Sequence, residues 1–226
     1  MGEMLRLRAA DGHELGAYRA ASKGTPRGSV VVLQEIFGVN SHIRNVCDRF
    51  AAEGYVAIAP ALFDRFQRDF ESGYSPEEIA VARGFMGSLD WEALIADTRA
   101  AMDRVLTETS PVSVVGFCLG GSLAYVAAIR FGDLASAIGY YGGKVVTHAD
   151  TKPLCPVMLH FGEIDQSIPL SDVEIIRGKR PDIEIYTYPA GHGFNCDERG
   201  AYNAEQAAIA WERTLGLLEK VHGPKP

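Results

Sequence analysis

Three residues in this sequence have types and positions suited to nucleophilic chemistry: Cys118, Asp165 and His192. A cysteine thiolate attacks an electrophilic carbon, a histidine moves the proton, and a carboxylate orients the histidine and stabilises its charged form. Each residue follows a short apolar run that is typical of a buried strand. Since ligands of open α/β sheets bind at the carboxyl ends of the strands, we expect these three side chains to meet there.

The cysteine lies in a Gly-x-Cys-x-Gly segment centred on Cys118, which matches the nucleophile elbow with Cys in the place of Ser. The turn between strand and helix is so tight that the residues two before and two after the nucleophile must lack a side chain. The helix that follows presents backbone N–H groups, which favour a thiolate and an oxyanion beside it. We expect the oxyanion donors to be the N–H groups of Leu119 and Ile36.

Two other interpretations of these residues are weaker. A dinucleotide fingerprint would place glycine where Cys118 stands and would lie near the first strand–helix–strand unit. Cys196 follows His192 by four residues, but two ligands fall short of the three or four that a metal site needs. We therefore expect neither a cofactor nor a metal.

The choice of His192 and Asp165 rests on their neighbours in the sequence. His192 stands between two glycines directly after a predicted strand, where a base can move, whereas His160 lies inside a strand and is predicted to be packed in the core. Asp172 competes with Asp165 but is typical of a carboxylate in the first turn of a helix. The remaining histidines are predicted at turns or on the surface: His13, His42, His148 and His222.

The composition limits the partners. The net charge of −7 and the lack of a Lys/Arg block argue against nucleic acid or an anionic membrane, and leave a small-molecule substrate as the expected partner. The N-terminus lacks the apolar core of a signal peptide, and no later run approaches a membrane span. Four cysteines without paired close spacing fit a reducing compartment. We expect a cytoplasmic protein, monomeric or weakly dimeric.

The hydrophobic pattern predicts one α/β domain over residues 1–226, with a doubly wound, mostly parallel sheet and helices on both faces. An N-terminal hairpin turns at Asp11–Gly12 and forms an antiparallel edge. Capping boxes begin helices at Ser75 and Ser171. Further strands are predicted at 29–34, 55–59, 112–117, 135–140, 156–161 and 183–188, and further helices at 42–53, 90–107 and 203–221. The aromatic stretch 60–89 is core filling or at most a small cap.

Several motifs together resemble the dienelactone hydrolase family, the carboxymethylenebutenolidases, within the α/β-hydrolases. They are residues 34–40 (QEIFGVN), 116–121 (GFCLGG), 139–142 (GYYG), Asp165 and 191–192 (GH). The resemblance covers nearly the whole chain. It implies the α/β-hydrolase fold and hydrolysis of an enol lactone or another activated ester through a Cys-His-Asp triad.

The resemblance also implies a role for Glu35, which would hold the resting thiol and help to deprotonate it when substrate binds. A strand-end glutamate that caps a backbone N–H is the alternative. We expect the substrate to contact Phe37, Arg83, Tyr140 and Phe194.

The two arginines with which the family's dienelactone hydrolases bind a substrate carboxylate are not both matched. Arg83 lies near one position but out of register, and Cys196 occupies the other, with Arg199 three residues further on. Because bidentate arginine recognition is geometrically strict, we expect a preference for uncharged esters. Alternatives are a promiscuous arylester or phosphotriester hydrolase, a cysteine amidase or peptidase, and a non-catalytic ligand-binding relative.

Overall fold

The computed structural model describes residues 2–223, whose contacts group into two units, residues 2–112 and 113–223. In the first unit the predicted hairpin is confirmed: its two strands pair antiparallel around a turn in which Gly12 has φ +88°. The strands are β1 (Glu3–Arg8), β2 (Glu14–Ala20), β3 (Ser29–Leu33) and β4 (Val56–Pro60). Their order is β1-β2-β4-β3, with β2 antiparallel and β3 parallel to β4.

The helices of the first unit begin at the capping residues that the sequence offers. The Asn40 side chain accepts the N–H of Ile43, and the Ser75 capping box with Glu78 is present as predicted. The helices are α1 (Ser41–Ala52), α2 (Pro76–Gly84) and α3 (Trp91–Leu106), with 3₁₀ turns at Leu62–Arg65 and Phe85–Ser88.

The aromatic stretch of this unit packs on itself. The rings of Phe63, Phe66, Phe70 and Phe85 have centroid separations of 5.0 to 5.9 Å, and Phe63 and Phe70 are buried. This arrangement favours the core-filling interpretation.

The second unit contains four parallel strands, the first of which begins at the last residue of the first unit: β5 (Val112–Phe117), β6 (Ser136–Tyr140), β7 (Val157–Gly162) and β8 (Glu184–Tyr188). They lie in the order β5-β6-β7-β8, and each is followed by a helix. The helices are α4 (Leu119–Arg130), α5 (Val145–His148), α6 (Leu170–Lys179) and α7 (Ala204–His222). The mostly parallel, doubly wound α/β architecture with an antiparallel N-terminal edge is confirmed.

One predicted helix start is wrong. The capping box expected at Ser171 is not formed, because α6 begins at Leu170 after Pro169, which is extended and has no side-chain donor or acceptor. Ser171 is already inside the first turn. By contrast, Asn203 caps α7 by accepting the N–H of Gln206.

Within residues 2–223, no helix combines the length and the apolarity that crossing a membrane requires.

Candidate active site

The nucleophile elbow is present as predicted. β5 ends at Phe117 and α4 begins at Leu119, so Cys118 alone makes the turn. Its backbone has φ +54° and ψ −110°, a strained conformation that costs about 1–3 kcal/mol in a residue with a side chain. A Cβ on Gly116 would collide with the carbonyl oxygen of Gly120. Gly116, two residues before the nucleophile, is therefore required by the close approach of two backbone segments.

The strained turn is held by backbone hydrogen bonds on both sides of Cys118. Its N–H donates to the carbonyl oxygen of Tyr140 at 2.9 Å, at the end of β6. Its carbonyl oxygen accepts the N–H of Ser122 at 3.2 Å, and the Ser122 hydroxyl in turn accepts the N–H of Lys144 at 3.0 Å. The elbow is thus attached to the neighbouring strand and to the loop after it.

The three side chains singled out in the sequence form one hydrogen-bonded series. The distance from His192 Nε2 to the Cys118 sulfur is 3.2 Å, and that from His192 Nδ1 to Asp165 Oδ2 is 2.7 Å. A carboxylate only accepts hydrogen bonds, so Nδ1 carries a proton and Nε2 faces the sulfur. This is the geometry in which a histidine can exchange a proton with a thiol.

Backbone contacts fix the carboxylate and the histidine relative to each other. Asp165 Oδ1 accepts the N–H groups of Ser167 and Ile168 at 2.7 and 3.2 Å, which leaves Oδ2 for the imidazole. The N–H of Ile164 donates to the carbonyl oxygen of Ala190 at 3.2 Å. The loops after β7 and β8 are therefore joined on the N-terminal side of both side chains.

The electrostatics of this series favour a charged imidazole. Burial of His192 lowers its pKa, but the hydrogen bonds to Asp165 and Cys118 outweigh that effect and raise the pKa to about 10. The side chain is still 20% exposed, so water can reach it. The raised pKa favours the ring with protons on both nitrogens, in which Nε2–H points at the sulfur.

The model of the dienelactone hydrolase family matches residues 15–222 of the chain. The chain belongs to this family. It is similar to a provisionally named carboxymethylenebutenolidase of Synechocystis sp., with 38% identity over 210 residues, 84% of this chain and 85% of the relative. It is 30% identical over 243 residues to the carboxymethylenebutenolidase of Pseudomonas putida, covering 99% of each chain.

Among solved structures, a provisionally named dienelactone hydrolase from Klebsiella pneumoniae superimposes with a TM-score of 0.83 at 29% identity. The match covers 96% of this chain and 99% of that one. The predicted α/β-hydrolase fold is confirmed, and the protein is a carboxylic ester hydrolase of the dienelactone hydrolase family.

The other predicted site residues of this family member are distributed over both units. Leu119 is the first residue of α4, directly beside Cys118. Glu35, Ile36 and Phe37 follow β3 and are buried, with exposures of 1%, 8% and 3%. Arg83 is exposed on α2.

Two residues expected to contact substrate face the interior instead. Tyr140 is fully buried and donates its hydroxyl to the carbonyl oxygen of Ala210 at 3.1 Å. Phe194 is also fully buried, with its ring 5.1 Å from that of Tyr188. Both side chains are therefore part of the packed core. A side chain's direction at a strand end is set by packing, which the motif alone does not reveal.

The sequence did not point to Tyr141 or to the position of Arg199. The Tyr141 ring lies 5.0 Å from the His192 ring, and its backbone is left-handed at φ +40°. The Arg199 guanidinium packs on the backbone of Gly193, where a Cβ would collide with it.

His42, predicted at a turn or on the surface, is instead 1% exposed in the first turn of α1, so that prediction is wrong.

Proposed function

We propose that this protein hydrolyses small activated carboxylic esters or lactones through a thioester on Cys118. The observation that carries the proposal is the hydrogen-bonded series Cys118–His192–Asp165 at a strained strand-to-helix turn. A cationic imidazole facing a sulfur is the environment in which cysteines react as thiolates. The α4 N-terminus beside the sulfur adds to this effect.

In the acylation step, the Cys118 sulfur attacks the carbonyl carbon of the ester and forms a C–S bond. The carbonyl oxygen becomes an oxyanion, for which the N–H of Leu119, the first residue of α4, is the proposed donor. When the oxyanion collapses, the bond between carbon and the leaving oxygen breaks. The proton on His192 Nε2 goes to that oxygen, and the alcohol or enol departs.

In the deacylation step, His192 is neutral and takes a proton from water at Nε2 while the water oxygen attacks the thioester. Collapse of the second oxyanion breaks the C–S bond and releases the carboxylic acid. Asp165 keeps Nδ1 protonated throughout, so that Nε2 is the nitrogen that gives and takes the proton. The Cys118 sulfur and the proton on His192 Nε2 are thereby restored, and the ester and one water have become an acid and an alcohol or enol.

The chemistry of sulfur sets the leaving group. A tetrahedral adduct on sulfur reverts to thiolate unless the other group leaves more readily, so enol and phenol esters suit this site better than amides. The mismatch at the two arginine positions favours uncharged substrates over those with a carboxylate. A panel of enol lactones with and without a carboxylate, phenyl esters and one anilide tests both statements.

The roles of Glu35 and Ile36 are part of the same proposal and rest on the resemblance to the family. Glu35 would control the protonation of the resting thiol, and Ile36 would supply the second oxyanion donor. For Glu35→Gln we expect a changed pH dependence of turnover or a changed rate of sulfur oxidation by peroxide. Identical behaviour of variant and wild type would remove the glutamate from the mechanism.

The decisive variant is Cys118→Ala, for which we expect turnover of p-nitrophenyl acetate to fall to the level of the uncatalysed reaction. Cys155→Ala is the matched control, because Cys155 is another half-buried cysteine of the same unit and lies outside the triad. Unchanged activity in Cys118→Ala would refute the proposal. Full loss in Cys118→Ala with full activity in Cys155→Ala supports it.

A further inference from the structure

A second polar network lies in the interior of residues 113–223 and takes no part in the proposed chemistry. It consists of five side chains from three strands and one helix: Tyr140 of β6, His160 of β7, Tyr188 of β8, and Arg213 and Thr214 of α7. His160 is fully buried and stands at the middle of the series. Both of its ring nitrogens have partners.

The order of donors in this network follows from its two ends. Arg213 only donates, and its Nη1 lies 3.0 Å from the Tyr188 hydroxyl. At the other end the Tyr140 hydroxyl donates its one hydrogen to the carbonyl oxygen of Ala210. The Thr214 hydroxyl, 2.6 Å from the Tyr140 hydroxyl, must therefore donate to it.

The same reasoning fixes the protons of His160. Because the Thr214 hydrogen is already used, His160 Nε2, at 3.2 Å, must donate to the Thr214 oxygen. Burial, assisted by the charge of Arg213, lowers the pKa of His160 to about 3, so the ring is neutral. His160 Nδ1 then accepts from the Tyr188 hydroxyl at 2.7 Å. A single tautomer, with the proton on Nε2, satisfies every group.

This network reaches the candidate active site through two adjacent residues. His160 holds the Tyr140 hydroxyl through Thr214, and the Tyr140 carbonyl oxygen accepts the Cys118 N–H at 2.9 Å. The carbonyl oxygen of His160 also accepts the N–H of Tyr141 at 2.7 Å. The Tyr141 ring packs 5.0 Å from the His192 ring. His160 is thus linked by its side chain, through Thr214, to the residue that holds the nucleophile, and by its main-chain carbonyl to the residue that packs on the base.

The backbone of Tyr141 requires such support. A tyrosine at φ +40° is in the left-handed region, which costs energy unless the surrounding contacts impose it. The ring is fully buried and also packs on Phe194 at 5.7 Å. The hydrogen bond to the His160 carbonyl is therefore one of the contacts that keep this conformation.

We propose that His160, held as its neutral Nε2–H tautomer, is a positioning residue for Cys118 and His192. Its imidazole acts through Thr214 and Tyr140, its main-chain carbonyl supports Tyr141, and it does not touch the substrate. This inference rests on the proposed function of the triad. Its effect on the reaction is to keep the distance between His192 Nε2 and the sulfur short enough for proton exchange.

Nitrogen-15 NMR of the histidine-labelled protein tests the tautomer without any substrate. At neutral pH we expect His160 to show an unprotonated Nδ1 and a protonated Nε2, with no change between pH 7 and pH 5. A protonated Nδ1, or a titration of His160 within that range, would overturn the inference.

Two variants test the positioning role. His160→Leu removes the side-chain hydrogen bonds to Tyr188 and Thr214. The nearly isosteric Thr214→Val removes the hydroxyl that joins His160 to Tyr140. If one variant fails to fold, the other remains informative. In each folded variant we expect kcat for p-nitrophenyl acetate to fall about 10-fold with KM unchanged, since misplacement of reacting groups acts on the chemical step. We also expect the pH profile of kcat to shift.

Two controls separate positioning from general loss of structure. His160→Gln keeps a donor in the place of Nε2–H, and we expect it to recover most of kcat. His148→Gln, which alters a half-buried histidine on α5, should match the wild type. Folded His160→Leu and Thr214→Val proteins with wild-type kcat and pH profile would overturn the proposal.

A measurement without ester substrate distinguishes failure of this proposal from failure of the proposed function. The pH dependence of Cys118 alkylation by iodoacetamide reports the coupling of His192 to the sulfur, and a Cys155→Ser background removes the competing half-buried thiol. We expect His160→Leu to shift that dependence. An unshifted dependence overturns the positioning role even if ester turnover is high. If the wild type has no esterase activity but His160→Leu still shifts the pH dependence of alkylation, only the proposed function is overturned.

Discussion

Two histidines of the same unit show how neighbours decide what an imidazole does. His192 lies in a loop after β8, 20% exposed, between a carboxylate and a thiol, and its pKa is raised to about 10. His160 lies within β7, fully buried between two hydroxyls and near Arg213, and its pKa is lowered to about 3. Both rings have hydrogen bonds at both nitrogens.

The difference lies in the charge of the partners. An anionic acceptor stabilises the imidazolium more than burial destabilises it, so the pKa rises. Hydroxyl partners hydrogen-bond a neutral ring as readily as a charged one, so burial decides and the pKa falls. The first arrangement produces a group that exchanges protons. The second produces a fixed link between strands and a helix.

Replacement of His192 should have the largest effect on activity. We expect His192→Gln to lower kcat/KM for phenyl esters by roughly 10³-fold, because a general acid–base residue is removed. The equivalent His160→Gln variant should lose far less. Steady-state kinetics on both variants measures the contrast, and similar losses in the two would contradict the distinction between them.

Removal of the carboxylate should make His192 resemble His160 electrostatically. In Asp165→Asn we expect a loss of about 10²-fold or more in kcat, since the amide no longer fixes the tautomer or supports the imidazolium. The pKa of His192, followed by NMR titration, should fall. A His192 pKa that stays near its wild-type value would show that Asp165 is not its main support.

The neutral state of His160 should make the fold sensitive to acid. In the unfolded chain this ring takes up a proton below about pH 6.5, whereas the folded ring resists protonation down to about pH 3, so stability is lost as pH falls through that window. Relative to His160→Leu, the wild type should lose about 2 kcal/mol between pH 7 and pH 5. Urea unfolding at both pH values measures the difference. An equal loss in the two proteins would contradict it.

The smallest effect is expected from a single bond to His160. Tyr188→Phe leaves Nδ1 buried without its donor and should reduce the free energy of unfolding by about 1–2 kcal/mol. Tyr186→Phe, on the same strand, removes only a hydroxyl bonded to exposed Glu184 and should change it by under about 0.5 kcal/mol. Equal losses of unfolding free energy in urea titrations would show that the hydrogen bond to buried His160 stabilises the fold no more than the exposed one does.

Much of the scaffold was predictable, because local patterns govern it. The alternation around Asp11–Gly12, the Ser75 capping box and the glycine two residues before Cys118 each have a short-range physical reason that the sequence displays. The same holds for the series of Cys118, Asp165 and His192, since each follows a strand. Capping at Ser171 was mispredicted because Pro169, two residues earlier, occupies the N-cap position.

The interior could not be predicted in the same way. The burial of His42 and the inward direction of Tyr140 depend on which elements pack together. The network around His160 joins residues 74 positions apart in the sequence, from Tyr140 to Thr214. No spacing rule connects such residues, so only the fold reveals that they meet.

The most direct test of the central claim is to trap the acyl intermediate. The protein is mixed with excess p-nitrophenyl acetate, quenched in acid within the first turnovers, digested and analysed by mass spectrometry. The account predicts one acetyl group, on the peptide that contains Cys118, which is removed by hydroxylamine and absent from Cys118→Ala. Acetylation at another residue, with turnover intact in Cys118→Ala, would contradict it.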